Sequence, residues 1–511
     1  MTRESIIESA PATWPGGRRA ALAVVVVLAC AAAAGAVAWR ARTAPESTMS
    51  RLPRASELYA SDGTTLIARF DSDDPRESCL RVPVNDWGYY CDHVVAWWRT
   101  QAAFGADEGQ RLDRLRHGGY RLGGSLDPRL QAGAKQRVDA LLPVTDPTLF
   151  TVATIEPGTG LVRTMAANRT FRRPQGPPSA SPPADPGQPT GRPTGPDVVD
   201  PLVAGGPTTP GDAAGAPFMM FTLAAALDSG LRLDHAIDTG RVYRTAYRID
   251  PQSPVACGGG YWCPANTGDP AYLSGRRTMW DAFTHTVVTY FVALQERLGA
   301  DRVIEIAARL GITFRGDIDP QLAKPPNGAS WGAFTLGVSA TTALDLANAY
   351  ATLAADGTHC RPLPVAEVSD AVGRPVAGVG PRCEQVLRPG VARAAIDAGR
   401  CPLGDRSAFG DRCGAGAVPG TAVRGVVGRP VSGQTGLTDN RRTHSVVVAA
   451  PQLVTAAMVA AAPGRNGGRG QLASGVPEGA IDAVARIEHD GLAPLPSRDF
   501  AAPPRGLATA A

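Results

Sequence analysis

The stretch that most constrains this chain runs from Gly215 to Gly230 and reads G-A-P-F-M-M-F-T-L-A-A-A-L-D-S-G. A Pro-, Gly- and Thr-rich loop ends there and an apolar helix begins. Pro217 suits the first helical position, where a missing N–H costs nothing. Phe218, Phe221, Ala225 and Leu227 fall near helical spacing, and Gly230 reads as the C-terminal stop. Ala216 then takes the N-cap, a poor choice, because a methyl group cannot accept the orphan N–H groups. A helix N-terminus favours developing negative charge and therefore suits a nucleophile. Here that position holds a methyl group, and Met219, three residues on, faces the same side.

A second feature sets the compartment. Ala20 to Trp39 is an uninterrupted apolar run of about the ~20 residues that a membrane span needs. Arginines flank both ends (Arg18, Arg19, Arg40 and Arg42), so the positive-inside rule gives no orientation. Ala36-Val37-Ala38 offers an alternative, a signal-peptidase site; the length of the run favours an uncleaved anchor. One cysteine, Cys30, lies in the run, and Cys79, Cys91, Cys257, Cys263, Cys360, Cys383, Cys401 and Cys413 follow it. An even set beyond an export signal reads as disulfides in an oxidising compartment. Neighbour pairing (79–91, 257–263, 360–383, 401–413) is the simplest of many connectivities. No pair has zinc spacing and the histidines are scattered, so no metal and no cofactor are expected. The formal net charge of +4 over 511 residues argues against a nucleic-acid partner. Lys135 and Lys324 are the only lysines, and neither has a Walker-type context.

The chain then divides as follows. Residues 1–19 read as a cytoplasmic tail, 20–39 as the anchor and 43–117 as a juxtamembrane segment. Within that segment Glu57 to Ala60 and Thr64 to Ala68 form a strand–turn–strand around Ser61-Asp62-Gly63. Leu130, Ala134, Val138 and Leu141 keep helical spacing. Leu149 to Ile155 and Leu161 to Ala166 bracket a Gly/Pro turn as a β-hairpin. Residues 171–210 are Pro-, Gly- and Ser-rich without periodicity, a solvated insertion. A helix from Asp301 to Leu310 stops at Gly311, and Leu344, Ala347 and Leu353 line a further helix that Gly357 ends. Thr443 to Ala450 and Leu453 to Ala461 read as strands, and residues 491–511 as a flexible tail.

Several of these stretches, in order, resemble the transpeptidase domain of penicillin-binding proteins. Residues 215–227 resemble the first motif, G-S-x-x-K-x-F-T-L-A-A-A-L, with Ala216 at the Ser and Met219 at the Lys. Thr278 to Phe291 resembles L-x-x-A-L-x-x-S-x-N-T-x-F, with Thr286 at the Ser and Val288 at the Asn. Arg429 to Thr438 resembles the G-K-T-G-T-T region, with Gln434 at the Lys and Leu437 at the next Thr. Gly118 to Gln131, Val152 to Met165 and Trp331 to Pro362 match flanking family blocks. The hairpin near Tyr59 and the 118–131 stretch are similar to the bifunctional members, whose glycosyltransferase domain has no counterpart in residues 70–117.

The resemblance implies an α+β fold over residues 118–490, with a five-stranded antiparallel sheet between helices and an all-helical part that carries the second motif. The family reaction is acyl transfer at D-Ala-D-Ala stem peptides, which needs a nucleophile, a base, oxyanion donors and a cation. Ala216, Met219, Val288 and Gln434 supply none of these, and Thr286 keeps only a hydroxyl. The expectation is a catalytically inactive, single-pass membrane protein with its main domain outside the cytoplasm. It would bind peptidoglycan or its stem peptides or scaffold other cell-wall synthesis proteins. Thr286, Gln434, Thr435, Gly436 and Thr438 are its candidate groove contacts. The alternative is a divergent D,D-transpeptidase or carboxypeptidase that uses Thr286.

Overall fold

The computed structural model describes residues 54–172, 197–198, 202–206, 210–268, 273–414, 416, 418–438, 440–462 and 470–509. The expected anchor at 20–39 and most of the 171–210 insertion lie outside the described residues. Among the described residues no helix is long and apolar enough to cross a membrane.

The expected first hairpin is β1 (Ser56–Tyr59) and β2 (Leu66–Phe70). Asp62 closes its turn, accepting the N–H groups of Thr64 and Thr65 at 2.9 and 2.8 Å. Helices α1 (Trp87–Arg99) and α2 (Glu108–His117) follow, then β3 (Arg121–Gly124) and α3 (Pro128–Leu141). The start of α3 is legible in its residues: Pro128 sits at the first position and the Asp127 carboxylate accepts from Arg129 and Leu130, a side-chain cap. Next come β4 (Leu149–Ile155), β5 (Val162–Ala167), α4 (Met219–Asp228), α5 (Met279–Thr284), α6 (Val288–Leu298), α7 (Ala300–Leu310) and α8 (Ala343–Ala354). The chain closes through β6 (Val365–Ser369), α9 (Pro389–Arg400), β7 (Ser432–Leu437), β8 (Thr443–Ala449), β9 (Val454–Ala460) and α10 (Val476–Leu492).

Two sheets organise these elements. The main one has the order β7-β8-β9-β4-β5 and is antiparallel throughout. Its strands alternate between two cores. Phe150, Val152, Val446, Val448 and Val459 face α3 and α10, while Ala153, Ile155, Val447, Val454 and Met458 face α8 and α9. Burial on both faces explains why these strands read as nearly continuous β-branched and small apolar runs. The smaller sheet has the order β6-β3-β1-β2, with β1 and β3 parallel. It joins residues from both sides of position 118 to a strand more than 200 residues downstream.

Helix α4 lies behind α9 and against α6 and α7, and every residue from Met219 to Leu227 is buried. A helix apolar on all sides belongs in the interior. Its start differs from the sequence expectation. Ala216–Phe218 forms a single 3-10 turn with Gly215, at φ +73°, as its cap, and the α-helix proper begins at Met219. Ala216 is therefore inside the first turn and not its N-cap: the left-handed Gly215 turns the chain one residue earlier. All four neighbour disulfides form: Cys79–Cys91, Cys257–Cys263, Cys360–Cys383 and Cys401–Cys413. The C-terminal residues to 509, expected as a flexible tail, are docked. Leu233 and Asp234 donate to the carbonyls of Leu507 and Ala508 at 2.9 and 3.0 Å, and Ala508 is fully buried. Backbone pairing with a loop far earlier in the chain outweighs the Pro/Ala-rich composition there.

Candidate functional site

Three segments carry the motif positions and pack together around α4. The first is the N-terminal turn of α4 itself, held on several sides. Ala214 N–H donates to Gly337 O at 2.9 Å, Thr443 Oγ1 to Ala213 O at 2.7 Å and Tyr350 Oη to Pro217 O at 3.0 Å; the Ser445 hydroxyl donates to Ala214 O. Phe218 stacks edge-on with Phe221 and Phe334 beneath it.

The second is β7, the edge strand of the main sheet, laid against the turn. A Cβ on Gly436 would stand 2.5 Å from Pro217 Cδ and 2.6 Å from both Ala214 O and Ala216 N. Only a residue without a side chain allows so close an approach. This is why Gly436 can lie over Ala216.

The third is the break between α5 and α6. His285, Thr286 and Val287 leave the helical path here, with Thr286 in the left-handed region at φ +55°. Without the family, Thr286 to Val288 would read as a buried turn of helix; the structure has a strained corner instead. A β-branched residue at positive φ is an outlier that the surroundings must hold, at roughly 1–3 kcal/mol. Val287 N–H bonds to Ala282 O at 2.9 Å, and Thr289 N–H to Asn266 Oδ1 at 3.0 Å, on either side of it.

Gln434 ties the second and third segments together. Its side chain is buried, its Nε2 donates to Phe283 O at 2.8 Å, and its Oε1 accepts the N–H of Thr435 at 2.9 Å. Both ends of the amide are engaged by backbone, so Gln434 is a strut across the break and not a free groove contact. Thr438 is likewise committed elsewhere: its hydroxyl bonds to Asn440 Oδ1 at 3.0 Å and receives Thr443 N–H at 3.1 Å in the β7–β8 turn. Thr435 and Thr286 remain half-buried and Leu437 is exposed.

The side chains that converge carry little chemistry. Ala216 and Met219 are buried and have no ionisable atom, and Val288 is apolar and half-buried. Lys135 bonds to Asp139 Oδ1 and Ala167 O at 2.7 and 3.1 Å on α3, on the opposite face of the sheet. Burial lowers His444, on β8, to about 4, so it is neutral at physiological pH.

One charged cluster near the break escaped the sequence reading. Asp281 Oδ1 lies 2.9 Å from His285 Nδ1, and Asp281 Oδ2 lies 2.9 Å from Arg277 Nη1. Burial pushes the Asp281 carboxyl up, but the hydrogen bonds from His285 and Arg277 outweigh it and hold it below the usual value. Above the cluster sits the loop that the Cys401–Cys413 disulfide closes; a Cβ on Gly414 would meet Asp281 and His285. Asp397 pins that loop to α5, accepting from Trp280 Nε1 at 2.9 Å and from Ser407 Oγ and Ala408 N–H at 2.7 Å. The i, i+4 spacing of Asp281 and His285 was the available signal. Two cavities of about 200 and 220 Å³ lie elsewhere, one lined by Asp356, Arg393 and Phe500, the other by His359, Arg361 and Arg382. Among the described residues no group of three His, Cys, Asp or Glu side chains is placed to hold a metal ion.

This arrangement has known counterparts. Residues 218–388 match the model of the penicillin binding protein transpeptidase domain. That span, about a third of the chain, is similar to a penicillin-binding protein transpeptidase domain. The matched span starts just past Ala216 and ends before β7, so it includes the α5–α6 break but neither Ala216 nor Gln434. Penicillin-binding protein 1A of Aquifex aeolicus is 28% identical over 199 residues, 39% of this chain and 23% of that protein; the likeness thus spans about a quarter of that relative's length. Among solved structures, penicillin-binding protein PonA1 of Mycobacterium tuberculosis superposes with a TM-score of 0.55 at 22% identity, over 81% of this chain and 95% of that one. Penicillin binding protein 3 of Mycobacterium tuberculosis gives 0.57 at 16% identity, over 88% and 98%. At these identities the structures establish a shared fold.

Proposed function

We propose that this protein is a non-catalytic relative of the penicillin-binding-protein transpeptidases of peptidoglycan synthesis. Its main domain is held outside the cytoplasmic membrane by residues 20–39, and it binds peptidoglycan or its stem peptides or scaffolds other wall-synthesis proteins. The observation that carries this reading is at the start of α4. β7 lies against Ala216 and Gln434 ties β7 to the α5–α6 break; acyl transfer there would need an attacking oxygen, an activating base and a cation, and the family's positions hold Ala216, Met219, Val288 and Gln434. Loss of the nucleophile alone costs on the order of 10⁶-fold in serine enzymes. The amide of Gln434, engaged at both ends, supports a structural use of the position where the family carries positive charge. Four disulfides support an oxidising compartment. The 118–131 stretch, which folds as β3 beside β1, supports descent from the bifunctional type.

The rival reading, a divergent D,D-transpeptidase or carboxypeptidase, has the strained, half-buried Thr286 in its favour. Incubation of the purified protein with fluorescent penicillin separates the two. The non-catalytic reading expects no covalent band together with retention on isolated sacculi. A band that vanishes in Thr286→Ala would establish the enzyme.

A further inference from the structure

Between α4 and α5 the chain builds a lobe that no part of the groove uses. Residues 241–263 contain three arginines and one aspartate. A short hairpin, Ala256–Cys257 paired with Tyr261–Trp262, forms its centre, and the Cys257–Cys263 disulfide closes it. Backbone bonds tie the neighbouring strands to it: Trp262 N–H to Tyr247 O at 2.9 Å and Ile249 N–H to Gly260 O at 3.0 Å. Glu296 on α6 fixes the lobe from below, accepting from Tyr243 Oη at 2.5 Å and from Ala246 N–H. Asn266, at its end, donates to Thr289 Oγ1 at 2.9 Å. The lobe is thus rigidly set one residue from Val288 of the second motif.

Its outer face is cationic and unpaired. The guanidinium carbons of Arg244 and Arg248 lie 3.8 and 4.2 Å from the centroid of the Tyr261 ring. Both side chains are exposed, and among the described residues neither has a carboxylate partner. The one aspartate, Asp250, caps its own turn by accepting Gln252 N–H at 2.9 Å. Stacking on a ring fixes a guanidinium in place and leaves its N–H edge free for an anion. Sharing one ring holds the two carbons within about 8 Å of each other. Beside them the hairpin tip is three successive glycines at φ +50°, +86° and +91°, and a Cβ on Gly258 would stand 3.3 Å from Arg244 Nε. Among the described residues the N–H groups of Gly258, Gly259 and Gly260 donate to no backbone acceptor, which leaves them open beside the guanidinium.

We propose that this lobe is a binding site for a linear phosphodiester chain, with Arg244 and Arg248 each holding one of two consecutive phosphates. The acceptor directions of a carboxylate lie in one plane, which a guanidinium fork shares. The oxygens of a phosphodiester are set tetrahedrally, so one can meet the fork while another meets the tip N–H groups out of that plane, and the donor set fits phosphate better. The closeness of the two cations favours neighbouring groups of one chain over separate headgroups. The inference does not depend on whether the groove is catalytic.

The test titrates the full-length protein with a synthetic oligo(glycerol phosphate), with inorganic phosphate and phosphatidylglycerol vesicles as separate arms. The oligomer is expected to bind at least tenfold more tightly than inorganic phosphate, with affinity that falls as salt rises. Arg244→Ala with Arg248→Ala should weaken it at least tenfold, while the double Lys variant, which keeps charge but loses the fork, falls between. Equal binding by the double Ala variant, oligomer binding no tighter than inorganic phosphate, or vesicle capture as strong as that of the oligomer would each overturn the assignment. Should the double Ala variant fail to fold, a double Lys variant that binds like the parent would do the same.

Discussion

Glu488 offers the sharpest physical test of this fold. It lies on α10, fully buried against the main sheet. A line of buried hydroxyls leads to it: Thr164 Oγ1 donates to Thr154 Oγ1 at 2.7 Å, Thr154 and Thr455 are 3.1 Å apart, and Thr455 donates to Glu488 Oε2 at 2.6 Å. Its other oxygen, Oε1, has no partner among the described residues. Burial raises the carboxyl from 4.5 to about 8, against the smaller lowering effect of the Thr455 hydrogen bond. The folded protein therefore keeps this proton while the unfolded chain releases it. The folded pKa is the raised one, so the contribution is intact below pH 4.5, declines as pH rises, and is fully lost above about 8. At about 1.4 kcal/mol per pH unit the decline sums to about 5 kcal/mol, of which roughly 3 are already lost at pH 7. Glu488→Gln keeps the shape and an acceptor for Thr455 but cannot ionise. Urea unfolding of both proteins from pH 5 to 9 should give similar stabilities at pH 5 and a variant more stable by several kcal/mol at pH 8. Parallel pH profiles for the two proteins would refute the reasoning.

Other consequences follow from the site. Gly436→Ala places a methyl 2.5–2.6 Å from Pro217 and Ala216; it should lower stability by about 1–3 kcal/mol, read as a drop in the urea midpoint. Gln434→Leu removes the 2.8 Å donor of the Phe283 carbonyl, leaving it the 3.4 Å bond from Thr286 N–H, and should cost about 1–3 kcal/mol, read in the same urea midpoint. Cys401→Ser with Cys413→Ser opens a loop of sequence separation 12 and should cost about 2–4 kcal/mol, with protease cleavage appearing between residues 402 and 412. Ala216→Ser with Met219→Lys should not restore full transpeptidation, since Val288 and Gln434 remain; strong activity of that pair in a D-Ala release assay would contradict the non-catalytic reading.

Much of the architecture was legible because its causes are local. Period-two and β-rich runs around turn residues placed β4, β8 and β9 to within a residue. The helical spacing of Leu130, Ala134, Val138 and Leu141 placed α3, and Gly311 and Gly357 stand just past the ends of their helices. The disulfides follow the simplest pairing because each joins cysteines that are near neighbours along the chain. Family resemblance supplied the sheet of five strands, which periodicity alone does not reveal when both faces are buried.

The sequence by itself determined which reactive groups are present: no oxygen at 216, no amine at 219 or 434, and no lysine between 136 and 323. No packing can add an atom that a side chain lacks. What that sequence left open was how the remaining groups are used, because a hydrogen bond or a burial depends on partners far away in the chain. Tertiary structure alone brought Gly436 onto Ala216, gave the Gln434 amide to Phe283, turned Thr286 left-handed, aligned three threonines behind Glu488 and docked residues 507 and 508 on Leu233 and Asp234. Each of these rests on contacts between segments that are brought together only when the sheet and its helices close on one another.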